Sequence, residues 1–257
     1  MTGTVDLRAD RGVATLTFSN PRSRNAIDRA MYDAFEGFLR DIRADESVRA
    51  VVLRGADGAF VGGTDIRWLQ EITSGPDGVA YEAHMRRVQV ALTDVDVPII
   101  AVVDGACVGG GIVLAALSDL VVCTPSSRFG SPIARTVGNT LSPTSIARLS
   151  ATFGRRNTAE MLFTARLFSA EEALQAGFVT SVVDADGVEE HLDGLLDAIR
   201  SCAPLTLRSF RRLWRRVDAV LADAPRDDVY AEIYGSADFQ EGVAAFLDKR
   251  RPSFEGR

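Results

Sequence analysis

The stretch "PIIAVVDGACVGGGIVLAALSDLVVC", residues 98–123, is the most apolar part of the chain and decides how the rest is read. Its length would suit a membrane span, but Asp104, the glycines, Ser118 and Asp119 interrupt it too often. Its residues instead spell a strand opened by Pro98, a glycine turn, a helix to about Leu117 and a short strand over 119–123. That is one β–turn–α–β unit of a protein core. A second segment, "AVVLRGADGAFVGGTDIRWL" at 50–69, repeats the order of apolar strand, loop, double glycine and helix. Two glycine-rich turns therefore fall at equivalent points of two β–turn–α units.

Working outward, "GVATLTF" (12–18) alternates apolar and polar residues like a half-buried strand. Asp28 is a candidate N-cap for a helix reaching about Arg43, with Met31, Phe35, Phe38, Leu39 and Ile42 as its core stripe. "RAVVLRG" (49–55) reads as a buried strand, and a helix is expected to begin near Thr64 or Asp65. Residues 71–80 cluster Thr, Ser, Gly, Pro and Asp and are expected to form a mobile loop before the helix "YEAHMRRVQVAL". Residues 128–143 read as a loop broken by Gly and Pro, followed by helices at 143–153 and 155–164. Ser169 and Glu172 have capping-box spacing, ahead of a helix stopped at Gly177 and a strand. From Val188 onward the pattern is helical. Strands alternating with helices, then helices alone, predict an α/β core over 1–195 and a helical C-terminal region over 196–257.

Bulk properties narrow the function. A net charge of −6 argues against a nucleic-acid partner. Cys107, Cys123 and Cys202 sit in apolar surroundings at spacings that fit neither a disulfide framework nor a metal site. Buried reduced thiols suit the cytoplasm. The start "MTGTVDLRAD" has early charges and no apolar core, so no signal peptide is expected.

A helix N-terminus leaves N–H groups without partners and carries the positive end of the helix dipole. Two such ends aimed at one point would stabilise an oxygen that gains negative charge; tight strand-to-helix packing would equally call for glycine. The GGG run lacks the Gly-Lys-Ser/Thr and G-x-G-x-x-G patterns of nucleotide loops.

At these residues the chain resembles the crotonase family, the enoyl-CoA hydratase/isomerase superfamily. "AFVGGTDIRWL" is similar to its AF-x-x-G-x-D-[IL] segment, and 98–123 to its P-x-[IV]-A-[AV]-[VI]-x-G-x-x-x-G-G-G segment. "NPRSRNAID", "RFGSP" (128–132), "SAEEALQAGFVTSVVD" and "DFQEGVAAFLDKRRPSF" follow in family order. The resemblance implies a crotonase-like core of repeated ββα units, a helical C-terminal trimerisation region, and a homotrimer or dimer of trimers. It also implies coenzyme A thioester substrates, with no permanently bound cofactor and no metal. The thioester oxygen would rest between the backbone N–H groups of Thr64 and Gly110, beside Gly63 and Gly109. Arg22 or Arg24 would approach the phosphates, Arg67 would stand beside the adenine loop, the backbone of Asp65 and Ile66 would line the adenine site, and Phe246 and Lys249 would meet coenzyme A.

The chain departs from the family where its hydratases keep two glutamates. By this alignment Val113 and Ile133 stand at those positions, and neither side chain can carry a proton. The loop after Ile133 offers Arg135, Thr136, Asn139, Thr140 and Ser142 but no carboxylate. Asn139, Thr140 and His84 are the candidate substitutes, His84 as the group expected to titrate near neutral pH. Turn chemistry at Gly138-Asn139, an N-cap role for Ser142 and a helix-surface His84 are the structural alternatives. Three functions stay open: an acyl-CoA enzyme with weak hydratase activity, a non-catalytic acyl-CoA-binding protein, and a CoA-thioester hydrolase or decarboxylase.

Overall fold

The computed structural model describes residues 3–222 and 227–257. The chain begins with a hairpin of β1 (Thr4–Asp10) and β2 (Val13–Ser19). Its turn residues, Arg11 and Gly12, both have positive φ, which suits the twist of paired strands. The sequence reading missed β1, because only Val5 of this edge strand is buried and its charged residues blur the alternation.

Then come α1 (Arg29–Ala44), β3 (Ala50–Gly55), α2 (Ile66–Leu69), α3 (Gly75–Thr93), β4 (Ile99–Val103), β5 (Ala106–Val108), α4 (Gly110–Leu117), β6 (Leu120–Cys123) and β7 (Arg128–Gly130). They are followed by α5 (Ile133–Thr136), α6 (Pro143–Thr152), α7 (Arg155–Thr164), β8 (Phe168–Ser169), α8 (Ala170–Gln175) and β9 (Ser181–Val182). Four helices end the described chain: α9 (Val188–Ser201), α10 (Pro204–Ala222), α11 (Asp227–Tyr234) and α12 (Ala237–Leu247). The expected run of helix from Val188 also covers 223–226, which lie outside the described residues. The position 195/196 falls inside α9.

One sheet has the order β1-β2-β3-β4-β6-β9, parallel except for β1, and a small sheet joins β5, β7 and β8. Strand alternation sorts the central residues onto two faces. Val51, Leu53, Ile99 and Ala101 join the large core with Phe35 and Leu39 of α1 and Val88 and Leu92 of α3. Val52, Ile100 and Val122 face the other way, under Leu192 and Leu196 of α9. Burial on both faces explains why β4 is apolar throughout.

The two repeat segments lie side by side. β3 pairs with β4, and Val61 forms a parallel bridge with Cys107. The Val61 N–H donates to Ala106 O at 3.2 Å, and the Val108 N–H to Val61 O at 3.0 Å.

Three expectations are corrected. Residues 75–80 are the first turns of α3, capped by the Ser74 side chain and led by Pro76, rather than a loop. The stretch 128–143 carries β7 and α5. Cys202 is exposed at the end of α9, whereas Cys107 and Cys123 are buried as expected.

α10 is fixed by a buried arginine. Arg211 pairs with Asp119 at 2.7 Å and donates to the carbonyls of Leu92 and Val95. Leu205, Phe210, Leu213, Trp214 and Val217 of the same helix are exposed.

Candidate functional site

Both glycine turns need backbone that other residues avoid. Gly63 has φ +108° and Gly109 has φ +57°. A Cβ on Gly63 would lie 3.5 Å from Val108 O and 3.8 Å from the Gly110 nitrogen, so the two turns abut. A Cβ on Gly111 would sit 2.1 Å from Val61 O, so α4 packs against the first repeat by backbone contact. Gly110 is the first residue of α4, where helix geometry supplies no acceptor for the N–H. Among the described residues no acceptor takes the N–H of Thr64 or of Gly110.

These turns open onto a cavity of about 740 Å³. Three hydroxyls join across it. Thr64 Oγ1 lies 3.2 Å from the Tyr32 hydroxyl and 2.9 Å from that of Tyr81. Burial pushes the Tyr32 phenol up to about 12 and that of Tyr81 well above its ordinary value, so both stay neutral.

The lining also includes a carboxyl that the sequence did not single out. Glu82 of α3 lines the cavity and is buried. The Tyr234 hydroxyl of α11 donates to Glu82 Oε1 at 2.5 Å and accepts from Asn139 Nδ2 at 3.5 Å. Burial raises the Glu82 carboxyl to about 7, and the bond from Tyr234 pulls it the other way. Two glycines deliver Tyr234. A Cβ on Gly78 would lie 2.1 Å from Tyr234 Cβ, and one on Gly75 would lie 2.4 Å from Ala231 O. The glycines at 75 and 78 thus serve close helix packing between α3 and α11 rather than a loop.

Of the residues singled out from sequence, Arg22, Arg24, Gly63, Thr64, Asp65, Ile66, Arg67, Gly109, Gly110, Val113, Ile133, Asn139, Thr140 and Phe246 all line this cavity. The Asp65 carboxylate caps α2 by accepting from the Arg67 backbone, and it pairs with the Arg67 guanidinium at 3.0 Å. Ser142 caps α6. Lys249 and His84 are not among the lining residues. His84 is buried rather than on the helix surface, with Nε2 3.0 Å from Asp33 of α1 and the ring against Trp68. Burial holds its imidazole below the ordinary value despite Asp33. With Glu36 these two residues bring three potential ligand atoms within 4.8 Å of one another, in a grouping that sequence spacing did not reveal. Glu82, Tyr32, Tyr81 and Tyr234 were missed; the glycines at 75 and 78 on one helix face were the available signal for the last.

Repeated β–turn–α units with helices closing the C-terminal end, and two glycine turns meeting at one cavity, define a crotonase-type α/β protein. The family description "Enoyl-CoA hydratase/isomerase" matches residues 8–257, and the chain belongs to that family. It is 29% identical over 248 residues to a "Probable enoyl-CoA hydratase" of Rhizobium meliloti (strain 1021), with 95% of each chain covered. It is also 29% identical over 256 residues to the methylmalonyl-CoA decarboxylase of Escherichia coli (strain K12), again with 95% of each covered. A solved methylmalonyl-CoA decarboxylase in complex with 2-nitronate-propionyl-CoA superposes with a TM-score of 0.88 at 27% identity, covering 99% of both chains.

Proposed function

We propose that the protein is an enzyme that processes acyl-CoA thioesters, stabilising a thioester enolate between the N–H groups of Thr64 and Gly110. The observation that carries this reading is the pair of unused donors where the two glycine turns meet. When a thioester becomes an enolate its oxygen gains charge, and two fixed donors then bind it more tightly than the ground state. Relatives named as enoyl-CoA hydratases and a CoA decarboxylase support the substrate class. Coenzyme A enters as part of the substrate. Arg22, Arg24 and Arg67 at the cavity meet its phosphates, the backbone of Asp65 and Ile66 its adenine, and Phe246 its apolar portion. Lys249, just past α12, approaches only from outside the lining.

Hydration is expected to be weak. Val113 and Ile133 face the cavity where, by the family resemblance, hydratases hold glutamates. Each missing acid/base group is worth roughly 10²–10⁴-fold. A decarboxylase is the second reading, favoured by the apolar wall at Val113, Leu114 and Ile133, because loss of CO₂ leaves the same enolate without needing a base.

The exposed apolar stripe of α10 supports a homotrimer or a dimer of trimers. Among the described residues no helix is long and apolar enough to cross a membrane. The reduced cysteines suit the cytoplasm. Calorimetry with butyryl-CoA tests binding, and a crotonyl-CoA hydration assay tests chemistry. We expect binding with hydration at least about a hundredfold below that of a two-glutamate relative. Hydration at the relative's rate would overturn the reading of Val113 and Ile133.

A further inference from the structure

We propose that Glu82 is the proton-transfer residue of this site, held for that role by Tyr234, and that it acts on the carbon next to the thioester carbonyl. The proposal rests on the acyl-CoA reading above. Its basis is geometric: Glu82 lines the cavity that also holds the Thr64 and Gly110 donors, and among the described residues the Tyr234 hydroxyl alone donates to its carboxylate. Tyr234 is fixed in turn by Asn139, and by the close approach of α11 to Gly78.

A purely structural carboxylate at this depth would be matched by a cation. Among the described residues no cation pairs with Glu82; the groups that interact with it are the phenols of Tyr32, Tyr81 and Tyr234. All three phenols are raised by burial and stay neutral through the physiological range. Glu82 is therefore the group in this cluster that changes charge near neutrality, where a general base is most effective.

In the step, the C–H bond at the α-carbon breaks and its proton forms an O–H bond on the Glu82 carboxylate. The electron pair becomes the enolate C=C bond, and the carbonyl π pair moves to the thioester oxygen between the Thr64 and Gly110 N–H groups. Return of a solvent-exchanged proton from Glu82 reverses each movement. Tyr234 is a positioning residue: its donated bond stabilises the ionised carboxylate and fixes its direction.

The test is deuterium exchange at the α-carbon of butyryl-CoA in D₂O, followed by proton NMR alongside calorimetric binding. The intact protein should exchange at a rate that rises with pH and levels off above about 7. Glu82→Gln should bind butyryl-CoA and exchange about a hundredfold more slowly or worse. Tyr234→Phe removes the bond that lowers the carboxyl, so its profile should move to higher pH. Exchange by Glu82→Gln at the intact rate overturns the proposal, as does an unmoved profile in Tyr234→Phe. Binding without exchange by the intact protein also overturns it and leaves the acyl-CoA reading standing. Failure to bind butyryl-CoA overturns that reading itself.

Discussion

Replacing Gly110 by proline deletes one of the two proposed donors without a helix hydrogen bond being lost. Gly110 is the first residue of α4, where the N–H has no intrahelical acceptor and proline is tolerated. Gly109, at φ +57° and ψ −116°, already lies outside the helical region that a following proline disfavours. The obstacle is space, since a Cβ at 110 would stand 2.8 Å from the Tyr32 hydroxyl. The comparison is therefore made in a Tyr32→Phe background. Thr64 Oγ1 keeps its contact with Tyr81 there, so the first turn retains one of its two hydroxyl anchors. In that background Gly110→Ala retains the N–H and adds a Cβ, whereas Gly110→Pro removes the N–H and adds two further ring carbons, so thioester binding is measured for both variants. Loss of one oxyanion donor costs about 10²–10³ in rate, or roughly 2.7–4 kcal/mol. The assay is α-deuterium exchange of butyryl-CoA at saturation, with thermal unfolding as a check on the fold. The proline variant should exchange about a hundredfold or more slowly than the alanine variant. Equal rates for two folded, thioester-binding variants would refute a donor role for Gly110.

Arg211→Met leaves the Asp119 carboxylate without its cation at the root of α10 and should cost about 3–5 kcal/mol in urea unfolding. Adding Asp119→Asn should recover part of that, because the amide oxygen can still accept from the Ile99 N–H; no recovery would mean that packing, not charge, sets the loss. Leu213→Glu with Trp214→Glu on the exposed stripe of α10 should lower the oligomeric mass in sedimentation while leaving the monomer folded. An unchanged mass would exclude this face as the contact.

The glycine turns were legible in sequence because their constraint is local. Positive φ at Gly63 and Gly109, and the backbone contact at Gly111, admit few other residues. The capping box at Ser169 and the cap at Asp28 are short-range and appear as read. What escaped was non-local. Tyr32 sits beside the apolar stripe of α1, and only contact with Thr64 turns its hydroxyl into part of the site. Glu82, on a helix among charged residues, looks like a solvated side chain until α11 covers it from 152 residues away. The same distance effect misplaced His84, whose environment is set by Asp33 of α1 and Trp68. Gly75 and Gly78 resemble loop residues in isolation, since helix-to-helix closeness is not encoded in the residues around them.

On the proposed reading, the carbonyl of a bound thioester lies between the N–H groups of Thr64 and Gly110. Isotope-edited infrared difference spectroscopy of butyryl-CoA labelled at the thioester carbon tests it directly. Two donors on one oxygen should move the carbonyl stretch of the saturated complex to lower frequency than in free butyryl-CoA, and Gly110→Pro with Tyr32→Phe should return much of that shift. A bound carbonyl that absorbs where the free thioester does would rule out that placement of the oxygen.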